Sequence, residues 1–262
     1  MGPGDRMPGS EEGYYAGPTG RSAAQTYRPS VSSDEPKYDP LYRARVSKAK
    51  SILCYYDDQT TFHHFPFETQ EGAPTPQEMW CAQVALWIQE DVVEALASLN
   101  REAANRVADT DACVEHVPVK RLVLVRVLGY DTSKPEGRFN FPTEASRDMP
   151  SGAGGPSPTG RKCNEQYDVV RFVVSVIVDQ RELLRLIDRL SQANFYQCLS
   201  VRYEAVDHES EAALGYFYGT APVVKATLEC EAYMLREIYE PLMPTSVREM
   251  LGIGGAGRKD ED

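Results

Sequence analysis

The stretch "VVRFVVSVIVDQRELLRLIDRLSQANFYQCLSVRYEA", Val169 to Ala205, decides the fold. Its first ten residues put Val170, Phe172, Val174, Val176 and Val178 on one face of an extended chain, while Arg171 and Ser175 interrupt the other. That is the period of a strand with one face in a core. Asp179, with Glu182 three residues on, has the spacing of a capping box. Leu183, Leu186, Ile187 and Leu190 then recur at helical intervals until Asn194. From Leu199 the period returns to two, with Leu199, Val201, Tyr203 and Ala205 alternating against Ser200, Arg202 and Glu204.

Upstream, Trp80, Val84, Trp87, Ile88, Val92, Ala95, Leu96 and Leu99 make an apolar stripe on a helix that opens at Thr75 to Gln77 and runs to about Ala104. The next stretch, "VPVKRLVLVRVLGY" (Val117 to Tyr130), is a β-branched strand whose two faces are too alike to tell which is inner. Downstream, Val224, Ala226, Leu228, Cys230, Ala232 and Met234 alternate with Lys225, Thr227, Glu229 and Glu231 in a fourth strand. The order helix, strand, strand therefore occurs twice, over residues 77–178 and 179–234. Each helical stripe needs a sheet face to bury against. The simplest packing is an α+β, ferredoxin-like fold, circularly permuted to αββαββ, with four antiparallel strands and both helices on one face. "SILCYY" (Ser51 to Tyr56) is expected to add an edge strand, and Thr245 to Gly252 a short last helix with a Thr/Ser cap.

The folded domain is expected over residues 49–252. Met1 to Pro40 has no Ile, Leu, Phe, Trp or Cys and is dense in Gly, Pro and Ser, so residues 1–48 read as a disordered arm. Residues 131–164, which contain "SGAGGPSPTG", read as a loop insertion, and 253–262 as a disordered charged tail. With 39 acidic against 28 basic side chains, the net charge of -11 opposes binding to a phosphate backbone. No apolar run approaches the roughly 20 residues of a membrane span, and the first residues do not form a secretory signal. The six cysteines are far apart with no C-x-x-C, which fits small buried hydrophobes better than a disulfide framework.

Candidate chemistry is thin. His63 and His64, with Asp57 and Asp58 upstream, make too few ligands for a metal site. His116 and His208 stand alone beside strand ends, without a Ser or Cys nucleophile in a recognisable elbow. The Gly-rich stretch from Gly152 to Lys162 precedes a strand instead of opening a helix, so it is a linker and not a phosphate cradle. No arginine-bearing phosphate loop follows the first strand, and the outer face lacks the aromatic pair that stacks RNA bases. No catalytic residue, metal or cofactor is expected. What remains is the outer face itself. Arg202, Glu204, Lys225 and Glu229 read as a solvated mixed-charge face or as a protein interface. On such a face Glu229→Lys would leave melting nearly unchanged, whereas Val174→Asp would unfold the domain. Tyr216, Phe217 and Tyr218 gather before the last strand, either as an anchor for a partner or as rings packed beneath their own loop.

The blocks "EMWCAQVALWIQEDVVEALASLN", "PVKRLVLVRV", "NFYQCLSVRYEAV" and "YGTAPVVKATLECEAYMLREIYEPLMP" cover about residues 77–252 apart from the loop. In their αββαββ order they resemble the periplasmic domain of PilO, the inner-membrane assembly protein of type IV pili, and of the related M component of type II secretion. That resemblance implies a non-enzymatic scaffold without cofactors, dimerising with itself or with a PilN-like partner at the periplasmic face of the inner membrane. Members of that family reach the domain through a membrane helix and a coiled coil, where this chain has the arm and the basic stretch Arg43 to Lys50. Membrane contact is therefore expected only through an anchor missing from this chain, and a cytoplasmic location if the start is as given. The alternative is a soluble, ligand-binding regulatory module on the same sheet.

Overall fold

A computed structural model describes residues 40–68, 72–107, 111–133, 137–143 and 157–253. The elements run α1 (Pro40–Ser51), α2 (Pro76–Ala104), β1 (Val119–Asp131), β2 (Arg138–Asn140), β3 (Tyr167–Asp179), α3 (Leu183–Ala193), β4 (Tyr196–Ala205), α4 (His208–Leu214), β5 (Val223–Leu235), α5 (Arg236–Tyr239) and α6 (Thr245–Leu251). The strands form an antiparallel sheet in the order β2-β1-β3-β5-β4. The architecture is α+β with five strands, not four. The extra one is the three-residue β2, which lies inside the expected loop insertion and pairs with Gly129 to Asp131.

The inner face is built as its periodicity predicts. Val170, Phe172, Val174, Val176 and Val178 of β3 lie beside Val224, Ala226, Leu228, Cys230, Ala232 and Met234 of β5, in one cluster with the buried stripes of α2 and α3. At the start of α2, Thr75 Oγ1 accepts from the Glu78 amide (3.2 Å) and the Glu78 carboxylate accepts from the Thr75 amide (2.8 Å). This capping box satisfies two otherwise unpaired donors. Near the other end, Asn100 donates to the carbonyls of Leu53 (3.0 Å) and Val119 (2.8 Å) and accepts from the Val119 amide (2.9 Å), fastening α2 to β1.

Several expectations change. Asp179 caps a 3-10 turn (Gln180–Glu182) through the Arg181 amide, Glu182 pairs with Arg185 instead of closing a box, and α3 begins only at Leu183. Pro244, not a Thr or Ser, stands at the N-cap of α6. The inner residues of β1 are Val119, Leu122, Val125, Val127 and Tyr130. Three register shifts against β3 separate them, and each reverses the alternation, which is why the two faces look alike in sequence. In β4 a shift between Cys198 and Ser200 has the same effect. Tyr196, Cys198 and Val201 meet the core, while Tyr203 is 63% exposed.

The expected arm ends earlier than residue 48, because the compact unit begins at Pro40 with α1. Residues 1–39, the loop's 134–136 and 144–156, and the tail from 254 lie outside the described residues. The expected edge strand over 51–56 is a parallel bridge from Tyr55 to Arg121. A second apolar cluster, with Ala49, Tyr55, Val114, Ile177, Tyr218 and Val223, packs on the outer face. Among the described residues no helix is long and apolar enough to cross a membrane.

Candidate functional site: the outer sheet face and the β4 edge

Much of the outer face is covered, not solvated. Arg171 is 1% exposed and Glu231 0%, and Asp131, Ser175 and Glu229 are buried too. Alternation distinguishes two faces but carries no information about chain that later folds over one of them.

The buried charges form a ladder with one rung from each strand. Arg138 of β2 binds Asp131 of β1 (2.9 Å), which faces Arg171 of β3 (3.4 Å). Arg171 faces Glu229 of β5 (3.7 Å), and Glu229 faces Arg202 of β4 (3.4 Å). Ser200 adds a hydroxyl to Glu229 (3.2 Å). A guanidinium withdrawn from water needs such carboxylates on both sides to offset its lost hydration. The ladder ends in the open, since the Arg202 side chain is 49% exposed. Beside it, the Glu231 carboxylate accepts from Ser157, from Thr159 (3.1 Å) and from Tyr233 (2.7 Å). Burial and that carboxylate push the Tyr233 hydroxyl up to about 12.

The two sides of the sheet end differently. Along β1, Lys120 and Leu122 bond Tyr55 (both 2.9 Å), Val125 bonds Thr61 (2.6 Å), Leu128 bonds Phe141 (3.0 Å), and Asp131 bonds Cys163 (2.8 Å). Together with β2 these contacts close that edge. Along the ten residues of β4, among the described residues, no strand pairs on the far side.

Four of the candidate interface residues meet here. Arg202 and Glu204 lie on β4, Lys225 and Glu229 on β5, and Lys225 pairs with Glu204 (3.4 Å). The other three lie elsewhere. Tyr216 and Tyr218 pack edge-on against Tyr55 (ring centroids 5.2 and 6.1 Å), Arg121 covers Tyr216 (3.8 Å), and Tyr42 of α1 packs on Phe217 (5.6 Å). Their own chain fills the place an external anchor would need, so they are a clasp and not part of the β4 surface.

The histidines are dispersed. His63 is buried with Nε2 on the Pro142 carbonyl (2.8 Å), whereas His64 meets the Asp58 carbonyl (2.9 Å) and Asp57 caps its own turn at the Gln59 amide (2.9 Å). Among the described residues no group of three His, Cys, Asp or Glu could hold a metal ion. His116 is not without a thiol neighbour: its Nδ1 lies 3.3 Å from Cys113 Sγ and 3.3 Å from the Cys113 amide. Because Nδ1 accepts that amide, the pair serves as a turn. A pocket of about 190 Å³ is lined by Trp87, Asp91, Asn194, Tyr196 and Tyr239, among others, with Asp91 held by Tyr196 (2.5 Å) and Asn194 (2.9 Å). It falls below the range of about 300–1,000 Å³ that suits small-molecule sites.

Fold and site define an α+β protein in which, among the described residues, polar groups form caps, a clasp and a cross-sheet ladder. No family model, no curated protein and no solved structure matches the chain. Sequence reasoning missed the ladder, although Arg171 inside an apolar strand was its visible signal. A lone guanidinium there requires carboxylates from neighbouring strands.

Proposed function

We propose that the chain is a non-enzymatic protein-interaction domain, a circularly permuted ferredoxin-like αββαββ unit that pairs through the β4 edge with a second copy of itself. The observation that carries it is a ten-residue edge left open among the described residues, beside alternating Arg202, Tyr203 and Glu204. Edge strands expose a row of backbone donors and acceptors that another strand can satisfy. With two copies antiparallel and centred on Tyr203, each Arg202 stands opposite the other copy's Glu204, and the two exposed tyrosines meet. An isologous two-fold contact makes every favourable pair twice. Each cross-strand ion pair contributes about 0.2–1 kcal/mol. The order α2-β1-β3 followed by α3-β4-β5, with long strands arranged β1-β3-β5-β4, supports the permuted reading. The wider role, a scaffold of a pilus or secretion-type inner-membrane complex, rests on the topological resemblance to PilO.

Light scattering after gel filtration tests the pairing. The native chain is expected to run as a dimer, and R202E or E204R to weaken it at least about tenfold by opposing like charges. The double variant R202E/E204R is expected to restore it. A monomer at every concentration, or a dimer indifferent to all three variants, overturns the proposal.

A further inference from the structure

Cys198 of β4 and Cys230 of β5 are direct cross-strand partners, and among the described residues no other two cysteines are. The Tyr233 amide donates to the Phe195 carbonyl on the β4 side (3.0 Å), and the Arg236 amide donates to the Gln166 carbonyl on the β3 side (3.0 Å). Odd-numbered residues of β5 thus turn their backbone groups to β4 and even-numbered ones to β3. Cys198 and Cys230 therefore form a non-hydrogen-bonded pair, the kind with Cα atoms only about 4.5 Å apart and side chains closest. A disulfide spans Cα separations of about 4.4–6.8 Å, so this register accepts one without moving a strand.

Cys198 Sγ donates to the Ser200 carbonyl of its own strand (3.7 Å), and all six cysteines are free. The two thiols differ in the way an attacking and a resolving thiol differ. Cys198 is half-buried on the edge strand, and contact with the Cys230 thiol holds it below the usual thiol range. Cys230 is 1% exposed, and the same contact, with burial, pushes it well above that range. Burial pushes Cys54 up to about 11, and burial with a nearby carboxylate, Glu78 or Asp168, pushes Cys81 and Cys163 up to about 12, with no thiol opposite any of them among the described residues.

We infer that Cys198 and Cys230 are a dithiol site that takes small, low-molecular-weight disulfides and closes to a disulfide between β4 and β5. The Cys198 thiolate attacks one sulfur of the small disulfide, forms a mixed disulfide and expels one small thiolate, which takes up the proton Cys198 gave up. Cys230 then loses its proton, attacks Cys198 Sγ and expels the second small thiol, which carries that proton away. The protein dithiol is oxidised, the small disulfide is reduced to two thiols, and no other oxidant enters.

The test equilibrates the folded full-length chain with graded mixtures of oxidised and reduced glutathione, quenches with acid, alkylates the free thiols and maps peptides by mass. The expected product is an intramolecular 198–230 crosslink, lighter by two hydrogens and formed before any other cysteine reacts. Cys230→Ser is expected to trap glutathione on Cys198, and Cys198→Ser to leave Cys230 unmodified. Three results overturn the inference: a crosslink between two chains through Cys198, first reaction at another cysteine, or reaction of this pair only under denaturing conditions. The native chain alone decides the matter if either serine variant does not fold.

Discussion

Val174 and Glu229 sit on opposite faces of the sheet, and the contrast expected between them shrinks once their surroundings are known. Val174 is fully buried beside Leu228, so Val174→Asp puts an unpaired carboxylate into the core and should abolish the folded state. Glu229→Lys replaces the carboxylate between Arg171 and Arg202 with a third cation, and should cost roughly 3 kcal/mol or more in urea denaturation. A loss within about 0.5 kcal/mol, the usual range for plain surface changes, would contradict the ladder. His63 gives a pH dependence of definite sign. Burial lowers its pKa to about 4, so as pH falls from about 6.5 the unfolded chain takes up the proton first. Stability should drop between about pH 6.5 and 4, by up to about 3 kcal/mol, and His63→Gln should flatten that part of the profile. Chemical denaturation at stepped pH measures both curves.

At the scale of elements, legibility followed the regularity of the backbone. The helices α2 and α3 and the strands β3 and β5 keep one period from end to end, and the sequence reading recovered them with their inner faces. In β1 the pairing slips three times, so no single alternation describes it. Gly129 ends the last slip with φ at +140°, where a Cβ would lie 2.0 Å from the Phe139 carbonyl oxygen of β2. Gly129→Ala should therefore detach β2 and lower stability by at least about 1 kcal/mol in thermal melts, with hydrogen exchange rising first at Phe139. Helix α1 escaped notice for another reason. "PLYRARVSKAKS" has almost no apolar stripe, and it is held by Tyr42 against Phe217 and by Arg45 on the Ala213 carbonyl (3.2 Å). Lys48 and Lys50 in its last turn complement the helix dipole, a weak signal beside an absent periodicity.

For the whole molecule, the candidate surface was half legible. Arg202, Glu204, Lys225 and Glu229 could be grouped because the two strands' alternations place them on one face. The pairing of Glu229 could not be foreseen, since Arg171 lies on a strand distant in the chain. The difference between the sheet's two margins was legible only at Tyr55, inside the expected edge strand, for the rest lies in isolated backbone bonds from Thr61 and Phe141 that leave no pattern in composition. Those few bonds set a limit on growth. A layer open at both sides can add copies without end and become a fibre, whereas in the proposed pair the side closed among the described residues would leave each newcomer nothing to extend. Two molecules joined at β4 have both of their receptive margins used up, so raising the concentration should complete the pair and then add nothing more.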